Sequence, residues 1–430
     1  MAEEKFDAII VGGGIAGTIA SYLLAKEGLE VLLVERGNFA GSKNVSGGRI
    51  YSHSLEKIFP NFAQEAPVER KIVREKISLM TESSSVTLDF YSDALGKQGS
   101  DAYSVLRSVF DQWLAEKAEE AGVQIITGIR VDDLIMRDGK VCGVIAGGDE
   151  LEANVTILAD GVNSTLAQKI GLRGELAPNQ VSVGAKEVIE LPGNVINDRF
   201  NCRDGEGSSW LFAGVPSGGR IGGGFLYTNK ESISMGIVCT LSDLVNSEKT
   251  VPQLLEDFKQ HPIIEPLIKG GKIVEYSGHL VPEGGLEMVP KLVGDGVLVV
   301  GDAAGFCINV GYAVRGMDLA VTSAECAAKA VLAAKEEQDY SEASLNAYRA
   351  NLDGSYLMKD LHLFKKLPHF MENTPRIFNG YPQMVADILN DMFVVSGQPA
   401  TPPMKTAFKH VRKIGITNLI MDGLRGARSI

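Results

Sequence analysis

The pattern of apolar positions predicts an α/β protein that opens with a β-α-β unit. Residues 6–11 form a short apolar run rich in Ile and Val, which predicts a strand. Residues 15–27 carry apolar positions at helical spacing and are closed by Gly28, and a second apolar run covers 30–34. Strand, helix and strand within about thirty residues form the unit of a parallel sheet.

A different pattern follows a predicted helix over 108–121 and a predicted strand over 123–127. Short alternating segments at 131–136, 141–146 and 150–153 are separated by two glycine-containing turns, which predicts an antiparallel meander. Residues 155–159 then read as a separate buried strand that stops at an Asp-Gly pair.

Four further segments, 181–191, 209–213, 220–228 and 233–241, predict a larger and mostly antiparallel sheet, followed by a short helix at 251–259. A buried strand at 297–300 and an Ala-rich helix at 313–335 return to the first pattern. We therefore expect a discontinuous first domain (1–77, 101–174 and 275–340) with a Rossmann-like parallel sheet and a β-meander. An inserted antiparallel-sheet domain (78–100 and 175–274) would bind substrate, and a helical region (341–430) would contact a membrane or a partner. Residues 396–403 are the linker candidate.

The first chemical motif is a G-x-G-x-x-G that follows the first strand and opens the first helix. Gly12 permits the tight turn, Gly14 lets a pyrophosphate approach the backbone, and Gly17 lets the helix pack on the strand. The helix N-terminus favours phosphate, and Glu35 at the end of the second strand is placed to accept two ribose hydroxyls. The alternative is a glycine-rich turn without a ligand. The predicted cofactor contacts here are Gly12, Gly14, Ile15, Ala16, Gly17, Glu35 and Arg36.

Two later motifs have the same strand-then-turn form. Asp160 and Gly161 follow the strand at 155–159, although such a pair is also an ordinary turn. Gly301 and Asp302 follow the strand at 297–300, and the aspartate can accept hydrogen bonds from the ribityl chain of a flavin. Gly311, Gly316 and Met317 are expected along the flavin ring, with the dipole of the helix predicted from Ala313 directed at its pyrimidine edge. Three such motifs in this order favour FAD over NAD.

Single residues complete the set of candidates. Arg107, just before the predicted helix over 108–121, can reach the flavin or the phosphates, or it can be an exposed helix-start residue. Val131, at the start of the meander, is a further predicted cofactor contact. Cys307 reads as a small apolar residue rather than a redox-active thiol. No metal site is predicted, and no side chain is assigned a catalytic role because the flavin carries the chemistry.

Charge and cysteine spacing exclude some classes. The net charge of −12 disfavours a nucleic-acid partner. The C-terminal thirty residues run against this trend, with six basic residues and one acidic residue. The five cysteines are widely spaced, which excludes a local iron–sulphur motif and fits a reducing cytosol.

The residues 41–49 (GSKNVSGGR) and 301–309 (GDAAGFCIN), with Gly311-Tyr312 and 315–318 (RGMD), carry a family resemblance. They resemble the short, FixC-type members of the electron-transfer-flavoprotein:quinone oxidoreductase family, within the FAD proteins of the para-hydroxybenzoate-hydroxylase fold. The hydroxylases have a proline pair after their Gly-Asp motif that this sequence lacks, which argues against oxygen activation. In the glycine-rich loop, the predicted flavin contacts are Lys43, Asn44, Val45, Ser46, Gly47 and Gly48.

The resemblance implies an FAD enzyme that passes electrons from an electron-transfer flavoprotein, with its alpha and beta subunits, to a membrane quinone. The longer members of the family carry a C-terminal ferredoxin-like domain with a 4Fe–4S cluster, which is not present in this sequence. A separate, small FixX-like 4Fe–4S subunit is therefore expected as a partner. The protein is then expected in the cytoplasm, peripherally on the inner face of the cell membrane. Whether the complex bifurcates electrons to ferredoxin or flavodoxin stays open.

Two other functions remain alternatives at this point. One is a prenyl-chain reductase like geranylgeranyl reductase, which shares the fold and the Gly-Asp-Ala-Ala-Gly run. The other is a flavin-bearing scaffold subunit without turnover of its own. Residues 356–381 mix apolar and basic side chains, which suits either a lipid surface or a helix packed on the protein's own core. The basic tail from Lys405 to Arg428 suits lipid, an acidic partner subunit or solvent.

Overall fold

A computed structural model describes residues 5–43, 48–97, 101–245 and 247–430 of the chain. The strands are β1 (Phe6–Val11), β2 (Val31–Glu35), β3 (Gly48–Tyr51), β4 (Lys71–Met80), β5 (Ser85–Tyr91), β6 (Ala102–Val105), β7 (Gln124–Thr127), β8 (Val131–Arg137), β9 (Lys140–Ala146), β10 (Asp149–Leu158), β11 (Val181–Glu190), β12 (Glu206–Gly214), β13 (Gly222–Thr228), β14 (Ser232–Thr240), β15 (Lys272–Pro282), β16 (Val293–Gly294), β17 (Val297–Val299), β18 (Ile308–Asn309) and β19 (Val314–Arg315).

The helices are α1 (Ile15–Lys26), α2 (Phe62–Glu65), α3 (Arg107–Glu120), α4 (Thr165–Lys169), α5 (Gly193–Phe200), α6 (Leu241–Leu244), α7 (Val251–Gln260), α8 (Glu265–Ile268), α9 (Met317–Glu337), α10 (Glu342–Leu345), α11 (Ala347–Gly354), α12 (Tyr356–Leu363), α13 (Leu367–Glu372), α14 (Gly380–Phe393), α15 (Pro403–Ile414) and α16 (Ile416–Ala427). Short 3-10 turns connect several of these elements.

The described chain forms two compact units. The first contains residues 1–69, 97–181 and 279–363, and the second contains 70–96, 182–278 and 364–430.

The first unit is built on a parallel sheet with the strand order β17-β10-β1-β2-β7. β16 adds an antiparallel edge strand next to β17. Its central strands are almost wholly apolar and buried, as expected for a parallel sheet that is covered on both faces. α1 packs against α3 and α9. The predicted Rossmann-like domain with a parallel sheet is therefore confirmed.

The meander is present, but one predicted boundary inside it was wrong. Residues 150–153 and 155–159 are not two strands, because β10 runs without interruption from Asp149 to Leu158. Its first half pairs antiparallel with β9, and its second half pairs parallel with β1. The break that we read at Asn154 is a change of partner along one long strand.

A second boundary was wrong at the Ala-rich helix. The helix begins at Met317 rather than at Ala313, because Val314 and Arg315 pair antiparallel with Ile308 and Asn309 as a small hairpin of β18 and β19. The dipole that we assigned to a helix starting at Ala313 therefore belongs to a helix that starts four residues later.

The second unit contains a sheet with the strand order β15-β11-β14-β13-β12-β4, to which β5 adds on β4. Its pairs β11–β14, β14–β13, β13–β12 and β4–β5 are antiparallel, whereas β12 and β4 run parallel. One face buries an apolar core with Phe212, Leu226 and Ile237 from the sheet and Leu255 and Phe258 from α7. This is the larger, mostly antiparallel sheet that the sequence predicts.

α13 to α16 lie in the second unit and complete the helical C-terminal region. Two carboxylates on α14, Asp387 and Asp391, pair with Lys413 and Lys409 on α15 at 3.1 and 2.8 Å. Within the described residues, no helix is long and apolar enough to span a bilayer.

Candidate functional site

The phosphate turn between β1 and α1 needs its glycines for steric reasons. Gly12 has φ +105°, and a Cβ there would collide with the carbonyl oxygen of Ala159. A Cβ on Gly17 would collide with the carbonyl oxygen of Gly12 and lie 3.1 Å from Ile10. The strand, the turn and the helix therefore pack in backbone contact, which is the role predicted for the first and third glycines.

The N-terminus of α1 is suited to an anion. Its N-cap is Gly14, which has no side chain to bond the first turn, and residues 15–18 include no acidic side chain. The first backbone N–H groups of a helix lack intrahelical partners and carry a partial positive charge. This end of the helix can bind a phosphate group.

The Glu35 carboxylate lies beside this turn at the end of β2. Gly13 N–H donates to its Oε2 at 2.7 Å, and Gly37 N–H donates to its Oε1 at 2.6 Å. The side chain is buried, and each carboxylate oxygen keeps a further lone pair. Glu35 therefore fixes the phosphate turn to β2 and retains the capacity to accept ribose hydroxyls.

The segment that follows β2 folds back against the same carboxylate. A Cβ on Gly37 would lie 2.9 Å from Oε1 of Glu35 and 3.3 Å from Cγ of Lys43. Gly41, at φ +89°, faces the carbonyl oxygen of Arg107. Lys43 is thus held near Glu35, whereas Arg36 is exposed and Asn44, Val45, Ser46 and Gly47 lie outside the described residues.

The first residues of the meander approach the end of β2 as well. Gly128 N–H donates to the carbonyl of Gly37 at 2.7 Å, and Ile129 N–H donates to the carbonyl of Glu35 at 3.2 Å. Val131 is buried two residues further on, at the start of β8. The contact of Val131 with a cofactor stays a prediction.

Arg107 is the first residue of α3 and its guanidinium is fixed in place. Nε and Nη2 donate to Oδ1 and Oδ2 of Asp111, both at 2.7 Å. Burial lowers the pKa of Arg107, but Asp111 and Asp302 overcome this effect and raise it above its ordinary value. The charge effect of Asp302 on Arg107 shows that Arg107 lies near the Gly-Asp motif and is not a solvent-exposed helix start, whereas its contact with a cofactor stays a prediction.

The Gly301-Asp302 turn lies against the first turn of α1. Gly301 has φ +61°, and a Cβ there would lie 2.8 Å from the Cβ of Ala16. Its N–H donates to Oγ of Ser323 on α9 at 3.0 Å. Two glycine motifs that are almost 290 residues apart in the sequence therefore meet at the N-terminus of α1.

Asp160 is linked to the Gly301-Asp302 turn through Arg173, a residue that the sequence analysis did not identify. Burial raises the pKa of the Asp160 carboxyl, which accepts a hydrogen bond from Ser164 Oγ at 2.9 Å. Arg173 exerts an opposing charge effect on Asp160 and donates to the carbonyls of Val162 at 2.7 Å and Ala303 at 3.3 Å. Arg173 belongs to none of the motifs, so nothing in the sequence singled it out.

The hairpin before α9 carries the remaining flavin candidates. Gly311 lies at its tip with φ +80°, and its N–H donates to Oδ1 of Asn309 at 3.0 Å. Gly316 is the N-cap of α9. Met317 Cε would lie 3.0 Å from a Cβ on Gly48, so the structure brings the predicted contacts Gly48 and Met317 together.

Cys307 lies beside these residues, with its Sγ 4.0 Å from a Cβ built on Gly316. Burial raises the pKa of the Cys307 thiol far above its ordinary value, and Asp302, Glu283 and Asp318 raise it further. A protonated thiol is a poor nucleophile. The environment agrees with the interpretation of Cys307 as a small apolar residue.

These residues fit FAD in kind and placement. The N-terminus of α1, which has no side-chain cap, suits the pyrophosphate, Glu35 suits the adenosine ribose, and Asp302 near Arg107 suits the ribityl chain. All of them lie in the first unit. Among the described residues, no group of three or more His, Cys, Asp and Glu side chains is arranged to hold a metal ion.

The fold and this cradle define an FAD-dependent oxidoreductase, and residues 7–163 match the family described as FAD dependent oxidoreductase. Residues 367–430 match the ETF-QO/FixC family C-terminal domain. The chain belongs to the ETF-QO/FixC family, and its cofactor is FAD.

Full-length relatives support this assignment. The chain is 56% identical over 430 residues to the probable electron transfer flavoprotein-quinone oxidoreductase YdiS of Escherichia coli K12, with all of both chains covered. It is 54% identical over 426 residues to protein FixC of Salmonella typhi, with 99% of each covered. A solved geranylgeranyl bacteriochlorophyll reductase-like protein from Thermoplasma acidophilum shares the fold, with a TM-score of 0.73 and 19% identity over 99% of this chain and 100% of that one.

Proposed function

We propose that this protein accepts electrons from an electron-transfer flavoprotein on its FAD and passes them to a membrane quinone. The observation that carries the proposal is the 56% identity to YdiS, over the full length of both chains. The name of YdiS states a probable electron transfer flavoprotein-quinone oxidoreductase activity. The predicted cofactor residues support it, because those that the structure describes are concentrated around α1, the Gly301-Asp302 turn and the start of α9.

The side chains of this protein bind and orient rather than perform acid–base steps. FAD supplies the chemistry when bound, because it takes up and releases electrons singly or in pairs. Glu35 and the α1 N-terminus would hold the adenosine and pyrophosphate part. Arg107 and Asp302 would hold the middle of the cofactor, and Gly48, Gly311, Gly316 and Met317 would border the ring.

The function is tested with the purified holoprotein under anaerobic conditions. The bound flavin is reduced chemically to bleach its visible absorbance, and a water-soluble quinone analogue is then added in stoichiometric amount. We expect full recovery of the oxidised flavin spectrum with formation of quinol. A flavin that stays reduced would contradict the proposal and favour the scaffold alternative.

We further propose that the C-terminal helices supply the membrane contact, at a different place from the one that the sequence pattern indicated. Of the apolar side chains in 356–381, Leu357, Leu361, Leu367 and Phe378 are buried, so this segment does not offer them to lipid. The interpretation as helices packed on the protein's own core fits that segment. Leu363 at the end of α12 is exposed, but a larger group of exposed apolar residues lies on α15, on α16 and at the end of α14 with the residues just after it, namely Phe393, Val394, Val395, Met404, Phe408, Ile416, Ile420, Met421 and Leu424.

Exposed basic side chains lie in the same C-terminal segment as these apolar residues. Lys405, Arg412 and Arg428 are exposed, whereas Lys409 and Lys413 already pair with the carboxylates of α14. An apolar helix face with basic residues beside it suits the interface of an anionic bilayer. The same basic residues would suit an acidic, small ferredoxin-like 4Fe–4S subunit, which we propose as a partner because of the relationship to FixC.

A further inference from the structure

A buried polar cluster lies at the start of α9, beside the residues proposed to border the flavin ring. It consists of His53, Arg315, Asp318, Tyr356 and Asp360. All five residues belong to the first unit. The proposed function does not use any of them.

Asp318 is the centre of the cluster. Its Oδ2 accepts hydrogen bonds from Nε and Nη2 of Arg315 at 2.9 and 2.6 Å and lies 3.4 Å from Nε2 of His53. Its Oδ1 is buried and has no hydrogen-bond partner in the part of the chain that the structure describes. Burial raises the pKa of Asp318, but His53 and Arg315 outweigh this effect and lower it, so the carboxylate stays ionised.

His53 is a partly exposed member of the cluster and lies directly beside the buried carboxylate of Asp318. Its side chain is 32% exposed, whereas that of Asp318 is 0% exposed. The His53 ring packs edge-on against Tyr356 with 5.0 Å between centroids. Because Nε2 faces the carboxylate, Nδ1 is the nitrogen left to exchange a proton with water.

Two carboxylates of the cluster share one arginine. Arg315 donates to both Asp318 and Asp360. A proton on His53 would therefore give Asp318 a cation that Asp360 does not share, next to Gly316 and Met317. Additional negative charge on a flavin at this place would attract a proton to the histidine.

We propose that His53 is a redox-linked proton site, which binds one proton when the flavin is reduced and releases it when the flavin is reoxidised. This inference rests on the proposed function. Two electrons enter from the donor flavoprotein, and two protons enter from water, one to the cofactor and one to Nδ1 of His53. Both electrons and two protons leave when a quinone is reduced to its quinol, so charge and atoms balance.

Other charged and titratable groups surround His53 on the packed elements. Tyr356 donates from its hydroxyl to the backbone carbonyl of Asp318 at 3.0 Å, and burial raises its pKa well above the ordinary value. The ring of Tyr51 lies under the guanidinium groups of Arg49 and Arg315, at 4.5 and 5.8 Å. Glu56 accepts a hydrogen bond from Ser52 on the turn that carries His53. His53 is the histidine that contacts Asp318.

The test measures the midpoint potential of the bound flavin against pH, from about pH 6 to 9, in the wild type and in His53→Gln. Glutamine keeps a donor for Asp318 but cannot bind a proton in this range. Each proton bound with two electrons changes the potential by about 30 mV per tenfold change in proton concentration. We expect a steeper segment in the wild type, by one proton per two electrons, which His53→Gln lacks.

Three further variants separate this role from a general change of charge or structure. His362→Gln removes an exposed histidine of α12 and is expected to keep the steep segment. Asp360→Asn leaves Arg315 to Asp318 alone, so it is expected to move the steep segment to lower pH without abolishing it. Asp318→Asn removes the partner of His53 and is expected to abolish it.

The outcomes distinguish the inference from the proposed function. Identical slopes in the wild type and His53→Gln, with FAD bound in both, would overturn the proton site while leaving the quinone activity standing. Direct proton uptake on reduction in weakly buffered solution gives the second readout, and an equal uptake in both proteins would overturn the site as well. A wild type without bound flavin would instead contradict the proposed function itself.

Discussion

At the scale of a residue, Gly17 allows the phosphate turn to pack closely because it has no side chain. The space that its Cβ would occupy is filled by the carbonyl oxygen of Gly12 and by the side chains of Ile10 and Ala159. The turn, β1 and the neighbouring β10 meet at this position. Close packing of this kind cannot accept an additional methyl group without movement of the backbone.

We therefore predict that Gly17→Ala lowers both stability and flavin content. Overpacking costs about 1–3 kcal/mol of the free energy of unfolding, and the displaced turn no longer presents its N–H groups to the pyrophosphate. Denaturant unfolding and the ratio of flavin to protein measure the two effects. Gly174→Ala is the matched control, because its added methyl meets nothing within 4 Å among the described residues. Equal flavin content in both variants would show that the turn does not hold the cofactor.

Some site residues could be predicted from the sequence and others could not, for a physical reason. Gly12, Gly17 and Glu35 belong to a local motif whose geometry is fixed by the chain itself. Arg173 bonds the carbonyl of Ala303, 130 residues away, and Asp318 meets a histidine 265 residues away. Such pairs arise only when the sheet brings distant turns together, so a single sequence carries no signal for them.

At the scale of elements, carboxylates of α14 form ion pairs with basic residues of α15. His410 is buried on α15, with Nε2 2.8 Å from Oδ2 of Asp391 and Nδ1 3.3 Å from Oδ2 of Asp387. The hydrogen bond from Lys409, followed by that from His410, lowers the pKa of Asp391 from 3.8 to about 2. The stabilising effect is thus present above about pH 4 and is lost as the pH falls through about 2.

We predict that Asp391→Asn lowers the melting temperature at pH 7, because it removes the ionised partner of Lys409 and His410. The difference from the wild type should shrink as the pH is lowered from about 4 towards 2, since the carboxylate first binds a proton in the unfolded chain and then also in the folded one. Thermal unfolding at several pH values measures it. Asp198→Asn, an exposed carboxylate on α5 of the same unit, should match the wild type throughout. A difference that is constant with pH would contradict the assignment.

The presence of a helix or strand was easier to predict from the sequence than its first and last residues. The β-α-β unit, the meander and α7 follow from local apolar periodicity. The start of α9 was misplaced because Val314 and Arg315 pair with a hairpin partner, a tertiary contact that overrides their place in an apolar run. β4, β5 and β15 were not predicted, since their exposed faces carry both apolar and charged residues without clean alternation. Our domain limits stay a prediction.

At the scale of the whole molecule, α15 and α16 present several exposed apolar side chains with basic side chains on the same helices. Ile420 and Leu424 are 56% and 48% exposed on adjacent turns of α16. We predict that the protein floats with liposomes containing anionic phospholipid and that the double change Ile420→Ser and Leu424→Ser reduces binding roughly tenfold or more.

Leu88→Ser is the control for this flotation experiment. Leu88 is 66% exposed on β5 of the same unit, so its replacement removes a similar apolar side chain from a different surface. It should float like the wild type. Equal flotation of the α16 double variant and the wild type would place the lipid contact elsewhere. Unchanged flotation with lost co-purification of a ferredoxin-like subunit would assign the surface to a protein partner instead.

The most direct test of the whole account is transfer through the protein from donor to acceptor. Reduced electron-transfer flavoprotein is mixed anaerobically with a catalytic amount of the holoprotein and an excess of quinone analogue, and quinol formation is followed. We predict that quinol forms at a rate proportional to the added holoprotein, whereas Gly17→Ala protein is less active in proportion to the flavin that it has lost. Quinol formation that is equally fast without the holoprotein, or a bound flavin that the donor cannot reduce, would contradict the central claim.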